Sequence, residues 1–111
     1  MKKICLLGAS GSIGVQTLDV IYKNPQEFVL TAFTVGHKTR HIAPILKKNP
    51  FVSHVYLIDD KKKKYYQNHY PNITFFSQKD GLENIITLSD NDMVVNALVG
   101  FAGLVPSIAA L

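Results

Sequence analysis

The chain has little that could build a metal cluster or a covalent scaffold. Its single cysteine, Cys5, excludes an intrachain disulfide and a cysteine metal site. Cys5 lies in an apolar run, where a small buried side chain is the expected role. Tryptophan is absent, and only 8 of 111 residues are acidic. No Asp or Glu occurs between Phe28 and Val55. No apolar run approaches the ~20 residues of a membrane span. Lys2 and Lys3 are not followed by a secretory apolar region, because glycines interrupt the run after Leu7. A cytoplasmic location is therefore expected, with no membrane partner. The histidines His37, His41, His54 and His69 are scattered, and no pair has metal-ligand spacing with a carboxylate beside it. There is no nucleophile–base–acid set and no poised pair of carboxylates, so neither a catalytic nor a metal-ligating residue is assigned within these 111 residues.

What is present begins at the N-terminus. Ile4-Cys5-Leu6-Leu7 reads as a strand covered on both faces. Gly8, Gly11 and Gly14 then recur every third residue, with Ser10 and Ser12 between them. Glycine tolerates positive φ and lets the backbone approach a ligand closely. The helix that follows offers unpaired N–H groups and a positive dipole end, a seat for phosphate. The G-x-x-G-x-x-G spacing differs from the commoner G-x-G-x-x-G fingerprint. The same pattern also fits a strand-to-helix turn with no ligand.

The first helix is expected from Ser12 or Ile13 to about Asn24, before Pro25. Ile13, Gln16, Thr17, Val20 and Ile21 follow helical spacing, with Leu18 on a neighbouring face. Phe28 to Val35 reads as a second strand, parallel to the first because a helix connects them. Gly36-His37-Lys38-Thr39-Arg40 follows it, where a dinucleotide fold reads the adenosine ribose. NAD-specific proteins usually place an acid there. This chain offers cations instead, which favours the 2′-phosphate of NADP. Ordinary surface residues starting a helix are the alternative.

A second helix is expected over Thr39 to Lys48, with Pro44 awkward inside it. Val52 to Ile58 reads as a third strand. Asp59 and Asp60 then cap a helix running to about His69. Lys61-Lys62-Lys63-Lys64 reads as its solvated face, and no motif supports nucleic acid. Ile73 to Ser77 is a short strand. Asp80 to Leu88 is a helix with Leu82, Ile85 and Ile86 inward, and Met93 to Val99 is a central strand ending at Gly100. Gly103 to Leu111 reads as the beginning of a helix, so the expectation is a fragment of a longer protein. The fold class that results is α/β: a Rossmann-like, doubly wound, mostly parallel sheet, truncated before any catalytic domain.

Three ordered blocks carry a family resemblance. Leu7-Gly8-Ala9-Ser10-Gly11-Ser12-Ile13-Gly14, with Thr17-Leu18-Asp19-Val20-Ile21 and Asn24-Pro25, resembles the N-terminus of the 1-deoxy-D-xylulose 5-phosphate reductoisomerases. Val35-Gly36-His37-Lys38 resembles their segment after the second strand, and Asn96 to Ala110 resembles a later block. Residues 51–88 match only loosely. The resemblance implies that residues 1–111 are an incomplete N-terminal NADP-binding domain. It implies an enzyme that rearranges 1-deoxy-D-xylulose 5-phosphate and reduces the resulting aldehyde with NADPH. The product is 2-C-methyl-D-erythritol 4-phosphate, an intermediate of non-mevalonate isoprenoid synthesis. It also implies a homodimer, and a divalent metal (Mg, Mn or Co) bound by residues outside this chain. Family cofactor contacts map onto Gly8, Ser10, Gly11, Ser12 and Ile13 at the turn, and onto Gly36, His37 and Lys38 at the ribose end. Ala97, Leu98, Val99 and Gly100 would line the cleft. The family usually has Lys or Arg where His37 stands, and Asn where Lys38 stands. Two other readings are an NADP-dependent, semialdehyde-dehydrogenase-like enzyme and a non-catalytic nucleotide sensor. The 111 residues alone are expected to be inactive.

Overall fold

The computed structural model describes residues 1–88, 91–98 and 108–110. β1 spans Lys2–Leu7. Its alternate residues serve two apolar layers: Ile4 and Leu6 enter one cluster, Cys5 and Leu7 the other. That double burial explains the unbroken apolar run, since neither face meets water. Cys5 is fully buried, as expected of a small core residue.

α1 spans Ser12–Lys23 and stops at Asn24. The Asn24 side chain donates to the Val20 carbonyl at 2.8 Å, ahead of Pro25. The inward face is Gly14, Leu18 and Ile21. The stripe expected from Ile13 to Ile21 is thus only partly inward, because Ile13 and Val20 are 53% and 50% exposed. The helical period was legible, but the phase was not. Gly14 lies against the preceding turn, so the smallest residue, not the most apolar, marks the contact side.

β2 spans Phe28–Thr34 and runs parallel to β1. A register shift between Ile4 and Cys5 gives β2 one extra residue, Thr31. Leu30 and Phe33 therefore share one cluster although they are three apart. The single helix expected over Thr39 to Lys48 is a 3₁₀ turn, Thr39–His41, followed by α2, Ile42–Lys48. Pro44 falls in the first turn of α2, where its missing N–H would have had no intrahelical acceptor.

β3 is His54–Tyr56, α3 is Asp60–His69 and β4 is Thr74–Phe76. Asp59 caps α3, its carboxylate accepting from the Lys61 N–H at 2.8 Å. Lys61, Lys62 and Lys64 are exposed, as the charge run suggested. The Gln67 side chain ties α3 to β4: it donates to the Ile73 carbonyl at 2.6 Å and accepts from the Phe75 N–H at 3.0 Å. α4, Glu83–Leu88, is shorter than expected. The Asp80 carboxylate is engaged by Ser77 N and Lys63 Nζ, and Gly81 turns the chain at φ +91 before the helix starts. Ile85 is fully buried, with Leu82 and Ile86 partly buried beside it.

β5, Met93–Asn96, pairs parallel with β1 on the side opposite β2. The sheet order is β4-β3-β2-β1-β5-β6. The helix expected over Gly103 to Leu111 is not what the described part shows. Ile108–Ala110 forms β6, antiparallel to β5, while residues 101–107 and 111 lie outside the described residues. A short apolar run reads equally as helix or strand, and the open edge of β5 supplies backbone partners that favour strand. α1 and α2 supply the first cluster and α4 the second, so both faces of a mostly parallel sheet carry helices.

Candidate cofactor-binding site

Strand order reverses at β1, which has β2 on one side and β5 on the other. In open α/β sheets ligands bind outside the carboxyl ends of strands at such a switch point. The glycine turn lies there. Gly8 adopts φ +86, a conformation that L side chains rarely take. A Cβ at Gly8 would meet the Ala97 carbonyl oxygen at 3.0 Å and Leu98 Cδ2 at 3.1 Å. The Gly8 N–H donates to Thr34 Oγ1 at 2.7 Å. The Ala9 N–H donates to the Thr34 carbonyl at 2.9 Å, and the Ala97 N–H donates to the Leu7 carbonyl at 2.8 Å. The turn is thus clamped between β2 and β5.

Gly11 is the N-cap of α1, and no side chain caps the helix. The Ser12 and Ile13 N–H groups have no intrahelical acceptor and lie at the positive end of the dipole. Gly14 N-terminally closes the contact with the turn: its Cβ would come within 2.0 Å of the Gly8 carbonyl oxygen. Gly11 is different. Its φ is −82, and the nearest atom to a Cβ there is 3.9 Å away. Neither backbone strain nor crowding within the chain requires a glycine at that position. Among the described residues, no other atom lies within 4 Å of that Cβ position. Ser10 is half-buried and Ser12 exposed, and among the described residues neither hydroxyl has a hydrogen-bond partner.

Gly36, His37 and Lys38 follow Thr34 by two to four residues and so leave the sheet beside the turn. His37 and Lys38 are exposed. The loop is pinned from behind, with the Tyr66 hydroxyl donating to the carbonyl of buried Thr39 at 3.2 Å. Among the described residues no carboxylate pairs with Lys38 or Arg40. On the other wall Ala97 is half-buried and Leu98 is 52% exposed. The Leu98 N–H donates to Asn96 Oδ1 at 2.9 Å, which shapes the β5 end. Val99 and Gly100 lie outside the described residues. Sequence reasoning overlooked Thr34 and Asn96. A threonine in a strand carries no signal beyond β propensity, and Asn96 was read as part of a strand end.

Among the described residues no group of three His, Cys, Asp or Glu could hold a metal ion. No helix is long and apolar enough to cross a membrane. Two open depressions lie at the opposite, amino-terminal end of the sheet. One is lined by Tyr22, Phe28, Lys48 and Phe51, another by Lys3, Thr31 and Ser53. The carboxyl end of the sheet carries the α1 N-terminal N–H groups and the exposed His37 and Lys38. A dinucleotide lying along such an edge would be held through its phosphates.

The family model of 1-deoxy-D-xylulose 5-phosphate reductoisomerase matches residues 4–111. The chain belongs to that family. The 1-deoxy-D-xylulose 5-phosphate reductoisomerase of Listeria innocua is 38% identical over 112 residues, covering 100% of this chain and 29% of the relative. That of Clostridium novyi is 40% identical over 117 residues, covering 100% of this chain and 30% of the relative. The chain therefore spans less than a third of the length of these curated relatives. A crystal structure of DOX-P reductoisomerase with NADPH, fosmidomycin and magnesium superposes with a TM-score of 0.79 at 22% identity, over 90% of this chain and 25% of that one. The Zymomonas mobilis reductoisomerase in complex with NADPH gives 0.59 at 22% identity, over 68% of this chain and 20% of that one. The reductoisomerase fold is thus shared across the described sheet and helices.

Proposed function

We propose that residues 1–111 form the NADPH-binding, N-terminal Rossmann-like domain of a 1-deoxy-D-xylulose 5-phosphate reductoisomerase. The observation that carries this is the uncapped N-terminus of α1, with Gly11 open above it, held at the switch point by Thr34 and Ala97. The N–H groups of Ser12 and Ile13 and the hydroxyls of Ser10 and Ser12 donate to the pyrophosphate. Gly8 and Gly14 hold the turn in the shape that aims those donors. Gly36 lets the ribose approach, since a Cβ there would meet only Ile58 Cδ1 at 3.8 Å. His37 and Lys38 take the 2′-phosphate, in a stretch of sequence with no acid from Phe28 to Val55. Ala97 and Leu98, with Val99 and Gly100 after them, line the opposite wall.

When bound, NADPH supplies the hydride for reduction of the rearranged sugar phosphate. In this reading the substrate, 1-deoxy-D-xylulose 5-phosphate, and a divalent metal such as Mg, Mn or Co are held by parts of the enzyme outside these 111 residues. The same reading carries a homodimer working in the cytoplasm. It draws support from relatives named as this reductoisomerase and from fold neighbours solved with NADPH and magnesium.

Titration with NADPH and NADH, under conditions where circular dichroism shows the chain folded, tests the cofactor assignment. Charge-assisted hydrogen bonds to a 2′-phosphate predict NADPH tighter by about tenfold or more. Equal affinity, or a preference for NADH, would remove the basis of the His37–Lys38 assignment.

A further inference from the structure

We propose that Thr34 is a positioning residue for the cofactor turn, an inference that rests on the cofactor reading above. Thr34 is 3% exposed at the end of β2. Its hydroxyl oxygen accepts the Gly8 N–H at 2.7 Å, and its carbonyl accepts the Ala9 N–H at 2.9 Å. One residue thus engages the two N–H groups where β1 gives way to the turn. With both taken, the peptide planes on either side of Gly8 cannot rotate. The positive φ of Gly8 is thereby set, and with it the direction in which residues 10–13 leave the strand.

Nothing in the sheet itself calls for the hydroxyl. Valine has the same shape and an equal or greater strand preference at a buried position. Thr34 also lies just before the Gly36–Lys38 loop, so its two hydrogen bonds link the phosphate turn to the ribose loop, and the hydroxyl supplies the one that a side-chain substitution can remove. Loss of that contact leaves the Gly8 N–H unpartnered and lets the two halves of the cofactor seat drift relative to each other. A displacement of about 1 Å in a preorganised site is costly to binding.

The test compares wild type, Thr34→Val and Thr34→Ser by amide hydrogen exchange at Gly8 and by NADPH titration. A hydroxyl role predicts that Thr34→Val speeds Gly8 exchange at least tenfold and weakens NADPH about tenfold, while Thr34→Ser stays within about threefold on both. A packing role predicts the reverse, because valine keeps the methyl group and serine loses it. Equal Gly8 exchange in all three proteins, or serine behaving like valine, would overturn the assignment. If Gly8 exchange follows the expected order but wild type does not bind NADPH, the turn contact stands and the cofactor reading fails, taking the cofactor role of Thr34 with it. Should Thr34→Val not fold, Thr34→Ala against Thr34→Ser makes the same comparison of hydroxyl present and absent.

Discussion

At the residue scale, three glycines with one spacing do three different things. Gly8 is required by its φ of +86, Gly14 by a carbonyl oxygen 2.0 Å from where a Cβ would lie, and Gly11 by neither. Alanine separates these roles. Gly14→Ala forces the helix away from the turn and should cost about 2–3 kcal/mol of stability, by analogy with overpacked cores. A urea melt measures it. Gly11→Ala should leave stability within about 0.5 kcal/mol, since among the described residues its methyl group meets only the Gly8 carbonyl oxygen, at an uncrowded 3.9 Å. NADPH affinity should nonetheless fall at least tenfold, because that methyl occupies the space assigned to phosphate. A Gly11→Ala protein that binds NADPH as wild type does would move the pyrophosphate off this turn.

At the element scale, α3 is fastened to the β4–α4 connection by a pair of carboxylates. Asp60 accepts from the Ser77 hydroxyl and from the Lys79 N–H at 3.0 Å. Asp80 accepts from Lys63 Nζ at 2.7 Å and from the Ser77 N–H at 2.9 Å. The Ser77 hydrogen bond holds Asp60 below the ordinary carboxylate value of 3.8, and the Lys63 hydrogen bond does the same for Asp80. A carboxylate with a depressed folded-state pKa stabilises above its unfolded value and loses that contribution as pH falls through the folded one. Stability should therefore decline as pH drops below about 4. Asp80→Asn should lower the urea midpoint at pH 7 and flatten the acid limb. An unchanged limb would show that the fastening contributes nothing. Tyr56 works in the opposite sense. Burial, and then the nearby Asp60, Glu83 and Asp80, raise its pKa above 10.0. Its contribution is present below pH 10 and fades as pH rises through the higher folded value.

At the scale of the whole molecule, the chain covers 29% of its Listeria relative yet carries two apolar layers around a mostly parallel sheet. On the proposed reading, the cofactor seat lies within these layers and the chemistry outside them. Substrate and metal are, on that reading, held by parts of the enzyme outside these 111 residues. The purified 111-residue chain should not consume NADPH with 1-deoxy-D-xylulose 5-phosphate and magnesium present. Substrate-dependent loss of absorbance at 340 nm, above that of a mock preparation, would refute this.

Much of the architecture was legible because it depends on local chemistry. Glycines after a buried strand, Pro25 after Asn24, Asp59 before a polar helix and the missing acids after β2 each act within a few residues. Such features determine which elements form and where a phosphate could sit. Phase and pairing depend on atoms distant in sequence, and only the tertiary structure decided them. Gly14 rather than Ile13 faces inward because the Gly8 carbonyl lies against it. Ile108–Ala110 is a strand because β5 has an open edge. Thr34 matters because the fold carries its hydroxyl to Gly8, 26 residues earlier in the chain.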